Sequence, residues 1–205
     1  MEVIDEIVLA TTNRGKLNEL EKMLDGWAVR VRGLEEFGPL EEAEETGSTF
    51  AQNARQKALY YSNLLQLCVL ADDSGLQVDA LDRSPGVYSA RFAGVDGPER
   101  DRANNKKILE LLNGVPDEKR TARFCCCLCL RSPQKVLVEV EGFLEGIIAA
   151  RPRGNNGFGY DPIFYLSEKG KTVAELTGKE KNAISHRGQA LVKLLPQLKP
   201  MLEEK

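Results

Sequence analysis

The stretch Ile7-Val8-Leu9-Ala10-Thr11-Thr12-Asn13-Arg14-Gly15-Lys16 decides how this chain is read. A short apolar run ends in a polar turn, after which Leu17, Leu20, Met23 and Leu24 recur at helical spacing and Gly26 is placed to stop the helix. A strand that passes through such a turn into a helix leaves the helix's first N–H groups without intrahelical partners. Thr and Asn side chains can cap those groups, or the groups can hydrogen-bond phosphate oxygens with Lys16 as an adjacent cation. The G-x-x-x-x-G-K-[ST] spacing is absent, so this is not a Walker A loop. Capping and phosphate binding both remain open from this segment alone.

Outward from that unit the same alternation returns. Thr46-Gly47-Ser48-Thr49 is an N-cap signal for a helix carrying Phe50, Ala54, Ala58, Tyr61 and Leu65 on one side. Cys68 to Ala71 reads as a buried strand running into a polar loop at Asp72-Asp73-Ser74-Gly75. Pro98 to Leu112 reads as a helix with Ile108, Leu111 and Leu112 inward and Gly114 as its stop. Arg120–Arg131 and Lys135–Phe143 flank Ser132-Pro133-Gln134 as a hairpin. A glycine-rich loop, Gly154 to Pro162, precedes a closing helix from about Ala183 to Leu195. Early alternation followed by a hairpin predicts an α/β protein with a mixed sheet. Ligands of open α/β sheets sit beyond the carboxyl ends of strands, where Thr11–Lys16 and Asp72–Ser74 are expected.

Composition bounds the function. The 205 residues hold 28 Lys plus Arg and 31 Asp plus Glu, a net charge of −3, which argues against a broad polycationic surface for nucleic acid. Hydrophobic residues make up 42%, enough for a core. The mean hydropathy of −0.33 and the absence of any apolar run near ~18 residues argue against a membrane partner. The N-terminal residues do not read as a secretory signal. An odd number of cysteines, five, with four crowded at Cys125, Cys126, Cys127 and Cys129, points to a reduced, cytoplasmic setting. On a strand these four alternate between faces, Cys126 with Phe124, Leu128 and Leu130, so they read as small buried hydrophobes and not as a zinc site. His186 is the only histidine, so a metal must rely on carboxylates.

Three further stretches could carry chemistry. Asp72 and Asp73, adjacent at the end of an apolar strand, need compensation that a hard cation such as Mg²⁺ can supply, or one of them caps its own turn. Side chains alternate along a strand, so one of the two faces the site. Phe158 and Tyr160 offer faces on which a planar base could stack, or they are core aromatics beside a turn. Ser185-His186-Arg187 lines up hydrogen-bond donors at a helix start.

Taken in order, LATTNRGKLNEL, EETGSTFAQNA, ADDSGLQVDAL, PGVYSARFAG, GFGYDPIF, KTVAELT and EKNAISHRGQAL span nearly the whole chain and resemble the inosine triphosphate pyrophosphatases, the Ham1-like family. The resemblance implies one domain over residues 1–205, built as an elongated two-lobed α/β fold with a central mixed sheet flanked by helices and an active-site cleft between the lobes. It implies a homodimer that uses Mg²⁺ to hydrolyse noncanonical purine nucleoside triphosphates (ITP, dITP, XTP) to the monophosphate and pyrophosphate. Thr11, Asn13 and Lys16, within the run that includes Thr12, Arg14 and Gly15, resemble triphosphate-binding residues. Asp73 is similar to the family's metal ligand and proposed base, Glu45 to a second metal ligand, and Ser74 to a substrate contact. Phe158, Gly159, Tyr160, Asp161, Lys181, Ser185, His186 and Arg187 resemble the base pocket. Two positions depart from the pattern. Gln52 stands where many members have Glu, removing a carboxylate from near the metal, and Asn156 replaces a common Gly, where Asn tolerates a left-handed backbone. The Gln52 departure keeps a second reading in view, a binding module without catalysis. A nucleic-acid domain using Arg151 and Arg153, and hydrolysis of pyrimidine or methylated nucleotides, are the remaining alternatives.

Overall fold

Strand β1 (Glu6–Leu9) is almost entirely buried because it has a parallel neighbour on each side: Ile7 lies opposite Val31 of β2 (Arg30–Gly33) and opposite Cys68 of β3 (Cys68–Val78). An apolar run with no polar alternation is what such a doubly flanked strand requires. The computed structural model describes residues 3–11, 17, 20–22 and 24–202. Within these, β4 (Thr121–Arg131), β5 (Val136–Ile148), β6 (Phe164–Leu166) and β7 (Lys171–Thr172) complete a seven-stranded sheet in the order β2-β1-β3-β4-β5-β6-β7. The pairs β5/β6 and β6/β7 are antiparallel, so the sheet is mixed, as expected. Leu17, Leu20, Glu21 and Lys22 are helical, and four α-helices lie wholly within the described residues: α1 (Phe50–Leu65), α2 (Arg100–Leu111), α3 (Gly178–Ile184) and α4 (His186–Leu198).

The chain divides into two compact units. One comprises Met1–Asp73, Cys126–Gly142 and Gln189–Lys205, the other Ser74–Cys125 and Phe143–Gly188. In the first, Ile7, Leu9 and Leu70 pack with Leu20, Leu24, Cys126, Leu128, Leu130 and the α4 residues Leu191, Leu194 and Leu198. In the second, Leu76, Val78, Ile108, Leu112, Phe124, Ile148 and Phe164 form a separate core. The five cysteines are free thiols, and Cys127 on the face opposite Cys126 donates to Glu141 Oε1 at 3.2 Å. Burial, with Glu139 nearby, pushes the Cys129 thiol up to about 12.

Four local expectations change. The strand expected to end at Ala71 continues through Asp72, Asp73, Ser74 and Gly75 to Val78, so these residues lie within β3 and not in a loop beyond it. β1 pairs with β3 only over Cys68–Leu70, so β4 is the strand that continues beside this stretch, and α1 supplies partners through Asn53 and Lys57. Leu111 is 50% exposed, whereas Ile108 and Leu112 are buried, because Asn104 and Asn105 complete the inward stripe of α2. The closing helix is two helices, broken at Ser185, whose extended backbone (φ −61°, ψ 148°) ends α3 and whose hydroxyl accepts from Gly188 N at 3.0 Å at the start of α4. Asn156 does not take up the left-handed conformation. The positive φ values of this loop fall on Gly154, Gly157 and Gly159, while Asn156 donates from its backbone to Ala174 O and from Nδ2 to Leu176 O.

Candidate functional site

The first unit gathers charge around α1. Thr49 caps the helix by accepting from Gln52 N at 3.2 Å, and Gln52 Oε1 reaches back to Ser48 N at 2.8 Å. The Gln52 side chain is therefore part of the cap, a task a Glu at this position could also perform. From this fixed start, one face of the helix presents Phe50, Ala54, Ala58 and Tyr61 to the interior. The same side carries Asn53 and Lys57, four residues apart and so one above the other.

Asn53 is buried and bridges two segments: its Oδ1 accepts from Gly47 N at 2.8 Å and its Nδ2 donates to Asp73 Oδ2 at 3.0 Å. Lys57 Nζ lies 2.5 Å from Glu45 Oε1 and donates to Asp72 O at 3.1 Å. Burial pulls the Lys57 ammonium pKa down, but the hydrogen bond to Glu45 and the charges of Glu45, Asp72 and Asp73 outweigh it and leave the pKa raised. Asp72 is 5% exposed and Asp73 half-buried, where β3 passes from its buried run Val69–Asp72 to the more open Asp73–Gly75. Glu45, Lys57 and Thr11 line one cavity of about 590 Å³ together with Tyr61 and the turn at Gly38–Leu40, a volume suited to a small ligand. Thr12, Asn13, Arg14, Gly15 and Lys16 lie outside the described residues.

The donor set fits Mg²⁺. Glu45 and Asp73 offer hard carboxylate oxygens, and Lys57 already offsets part of their charge. Among the described residues no cluster of three or more acidic, His or Cys ligands forms a closed cage. A six-coordinate ion here would complete its shell with water and ligand oxygens, the usual arrangement for Mg²⁺ on phosphates.

The second unit gathers an aromatic and donor set. Ser74 follows Asp73 along β3. Phe158 is 68% exposed, and the Lys181 ammonium sits over its ring at 4.4 Å from the centroid. Asp161 is buried. Its Oδ2 accepts from Phe158 N at 2.9 Å and pairs with Lys181. Burial raises the Asp161 carboxyl pKa, against the pull of Lys181 and the Phe158 N–H. Gly157, at φ +79°, has to be glycine here, because a Cβ would run into Asp161 Oδ2. Lys181 is steadied by the capping box of α3, in which Thr177 Oγ1 and Glu180 close on each other's backbone. His186 opens α4 with its ring stacked on Phe124, centroids 5.1 Å apart, and Phe124 stacks in turn on Phe164 at 4.3 Å. Arg187 is half-buried beside it.

Of the two readings open for Tyr160, its burial supports the core aromatic. Its ring is 5% exposed, its hydroxyl donates to Ser89 O at 2.8 Å, and burial raises its pKa. Phe158 alone of the two offers a free face. Asn53 and Lys57 are the residues that pattern reading passed over. Their signal was present, polar side chains on the buried face of a helix, which demand partners and so mark what lies beneath.

The profile of the Ham1 family matches residues 7–197. A dITP/XTP pyrophosphatase of Bacillus cereus is 52% identical over 196 residues, covering 95% of each chain. A dITP/XTP pyrophosphatase of Syntrophobacter fumaroxidans is 49% identical, covering 96% of this chain and 83% of its own. The solved structure of a HAM1 protein from Coxiella burnetii superposes with a TM-score of 0.89 at 44% identity, covering 95% of this chain and 98% of that one.

Proposed function

Because this chain belongs to the Ham1 family, we propose that it hydrolyses noncanonical purine nucleoside triphosphates, ITP, dITP and XTP, to the monophosphate and pyrophosphate. The observation that carries the reading is Asp73, oriented by Asn53 within one helical turn of the Lys57–Glu45 pair. Such a grouping suits phosphate-anhydride cleavage, in which charge must be neutralised while water is activated.

In this reading Glu45 and Asp73 hold Mg²⁺, which neutralises phosphate oxygens when bound. Asp73 orients the attacking water at the α-phosphorus and accepts its proton. Lys57, charged and already among carboxylates, exchanges part of its pairing for a phosphate oxygen. Thr11 and, on sequence grounds, Thr12 to Lys16 hold the departing pyrophosphate through N–H groups and the Lys16 ammonium. For the base, Phe158 supplies a stacking face with Lys181 over its ring, and Ser74, Gly159, Asp161, Ser185, His186 and Arg187 supply further contacts, with Tyr160 supporting them from the core. Donors at Lys181, His186 and Arg187 suit an oxygen at purine position 6. The amino group of adenine would leave them unpaired, a costly mismatch in a desolvated pocket. The free thiols suit a reducing cytoplasm, and the homodimer expected of the family completes the proposal.

The test is release of pyrophosphate and monophosphate from ITP, dITP, XTP, ATP and GTP, with and without Mg²⁺. Metal-dependent pyrophosphate release favouring the 6-oxo nucleotides ITP and XTP over ATP is expected. Release of single phosphates, or equal turnover of ATP and ITP, would overturn the cleavage position or the specificity. Tight ITP binding without turnover would favour the binding-module reading.

A further inference from the structure

Gly159 sits at φ +60° between the exposed Phe158 and the buried Tyr160, and a Cβ built on it would meet nothing within 4 Å. Space around the residue therefore does not hold its peptide groups in place. Two side chains of α2 do. Asp101 Oδ2 accepts from Gly159 N at 2.7 Å, and Asn105 Nδ2 donates to Gly159 O at 2.9 Å. Asp101 and Asn105 are four residues apart on one helix face, so a single rigid element grips the peptide on each side of Gly159. The bond from Phe158 N to Asp161 Oδ2, at 2.9 Å, fixes the preceding peptide as well. The exposed Phe158 ring thus stands on a backbone in which three consecutive peptide groups are each hydrogen-bonded to a side chain.

We infer that Asp101 and Asn105 are positioning residues of the base site, clamping Gly159 so that the Phe158 ring and the Asp161–Lys181 pair are arranged before a nucleotide arrives. The inference rests on the proposed reading that Phe158 stacks on the base. An exposed aromatic ring on an unclamped glycine loop would lose its freedom only on binding, and that ordering would be subtracted from affinity. Asp101 bears this role at little structural cost, since it is half-exposed in the first turn of α2. Asn105 is buried, and its amide is oriented by its bond to Gly159.

The experiment compares wild type with Asp101→Ala, Asn105→Ala and Asp101→Asn, the last keeping an oxygen acceptor of the same shape. With ITP and Mg²⁺, both alanine variants are expected to raise KM about tenfold while kcat changes less than threefold, and Asp101→Asn is expected to recover most of the KM. Inhibition by inorganic pyrophosphate, which has no base, should stay within twofold in all of them. A general loss of fold would move pyrophosphate and nucleotide together and would overturn the inference, as would an unchanged KM in Asp101→Ala. Amide hydrogen exchange of residues 157–161 provides a readout independent of turnover. It should speed up at least tenfold in Asp101→Ala with other segments unchanged, and unaltered exchange refutes the clamp. Failure of wild type to hydrolyse ITP, dITP or XTP would instead overturn the proposed function, with the clamp still decided by exchange.

Discussion

Asn53→Leu tests how the first unit orients Asp73, the carboxylate proposed to act on water. The substitution keeps approximate volume in a position that is 1% exposed and removes two hydrogen bonds, one to Gly47 N and one to Asp73 Oδ2. Orphaning the amide costs about 1 to 3 kcal/mol, and losing a bond to a charged carboxylate about 1.5 to 3 kcal/mol. Relaxation and water will recover part of this, which leaves a stability loss of roughly 2 to 4 kcal/mol and a melting temperature lower by about 5 to 15 °C for a chain of this size. If the Asn53 bond also directs Asp73 in the transition state, about 2 to 3 kcal/mol appears in the barrier, a fall in kcat of roughly 30- to 150-fold. The assay is steady-state pyrophosphate release at a temperature where circular dichroism shows both proteins folded. Asn53→Asp serves as the companion: it keeps the acceptor for Gly47 N, so much of the stability should return, yet it sets a carboxylate against Asp73, so turnover should stay low. A folded Asn53→Leu protein with kcat within twofold of wild type, or recovery of turnover and stability together in Asn53→Asp, would refute the reasoning.

Asp73→Asn should lower kcat by about 10²- to 10⁴-fold, the range for losing a general base, while thermal stability should change little because Asn keeps an oxygen acceptor for Asn53 Nδ2; retained turnover in a rate assay would count against the role of Asp73. Gly157→Ala places a Cβ against Asp161 at φ +79°, and the left-handed backbone alone costs about 1 to 2 kcal/mol; urea denaturation and the KM for ITP should both register it, with unchanged values refuting the contact. Thiol labelling at pH 8 should find Cys125, Cys126, Cys127 and Cys129 inert until the protein unfolds, since all four are buried; rapid reaction of the native protein at these positions would contradict that burial. The Cys129 thiol, raised from 9.0 to about 12, favours the folded state fully below pH 9; that contribution should shrink above pH 9, by up to roughly 1.4 kcal/mol per pH unit, as the unfolded chain ionises. A Cys129→Ala variant with the same alkaline decline as wild type would exclude that source.

Periodicity made several elements legible from particular residues. The apolar run Ile7 to Leu9 is a strand, Thr49 caps α1, and Cys126, Leu128 and Leu130 share one face of β4 as alternation requires. The ordered motifs pointed to the carboxylates and to the exposed Phe158. Where pattern reading erred, the deciding partner was distant in sequence. Asp72 to Gly75 look like a loop until β4 is known to lie beside β3, and the two readings left open for Tyr160 are decided by Ser89, brought to its hydroxyl from 71 residues away.

What the sequence determined by itself is therefore the family and the mixed α/β class, along with the candidate groups proposed for the chemistry, since residue types in order carry chemistry and short-range periodicity. What only the tertiary structure decided is which groups support one another: Asn53 on Asp73, Lys57 between Glu45 and the Asp72 carbonyl, Asp101 and Asn105 on Gly159. Buried polar side chains must find hydrogen-bond partners, and with partners 12 to 58 residues away the pairing is set by packing, which no local pattern encodes.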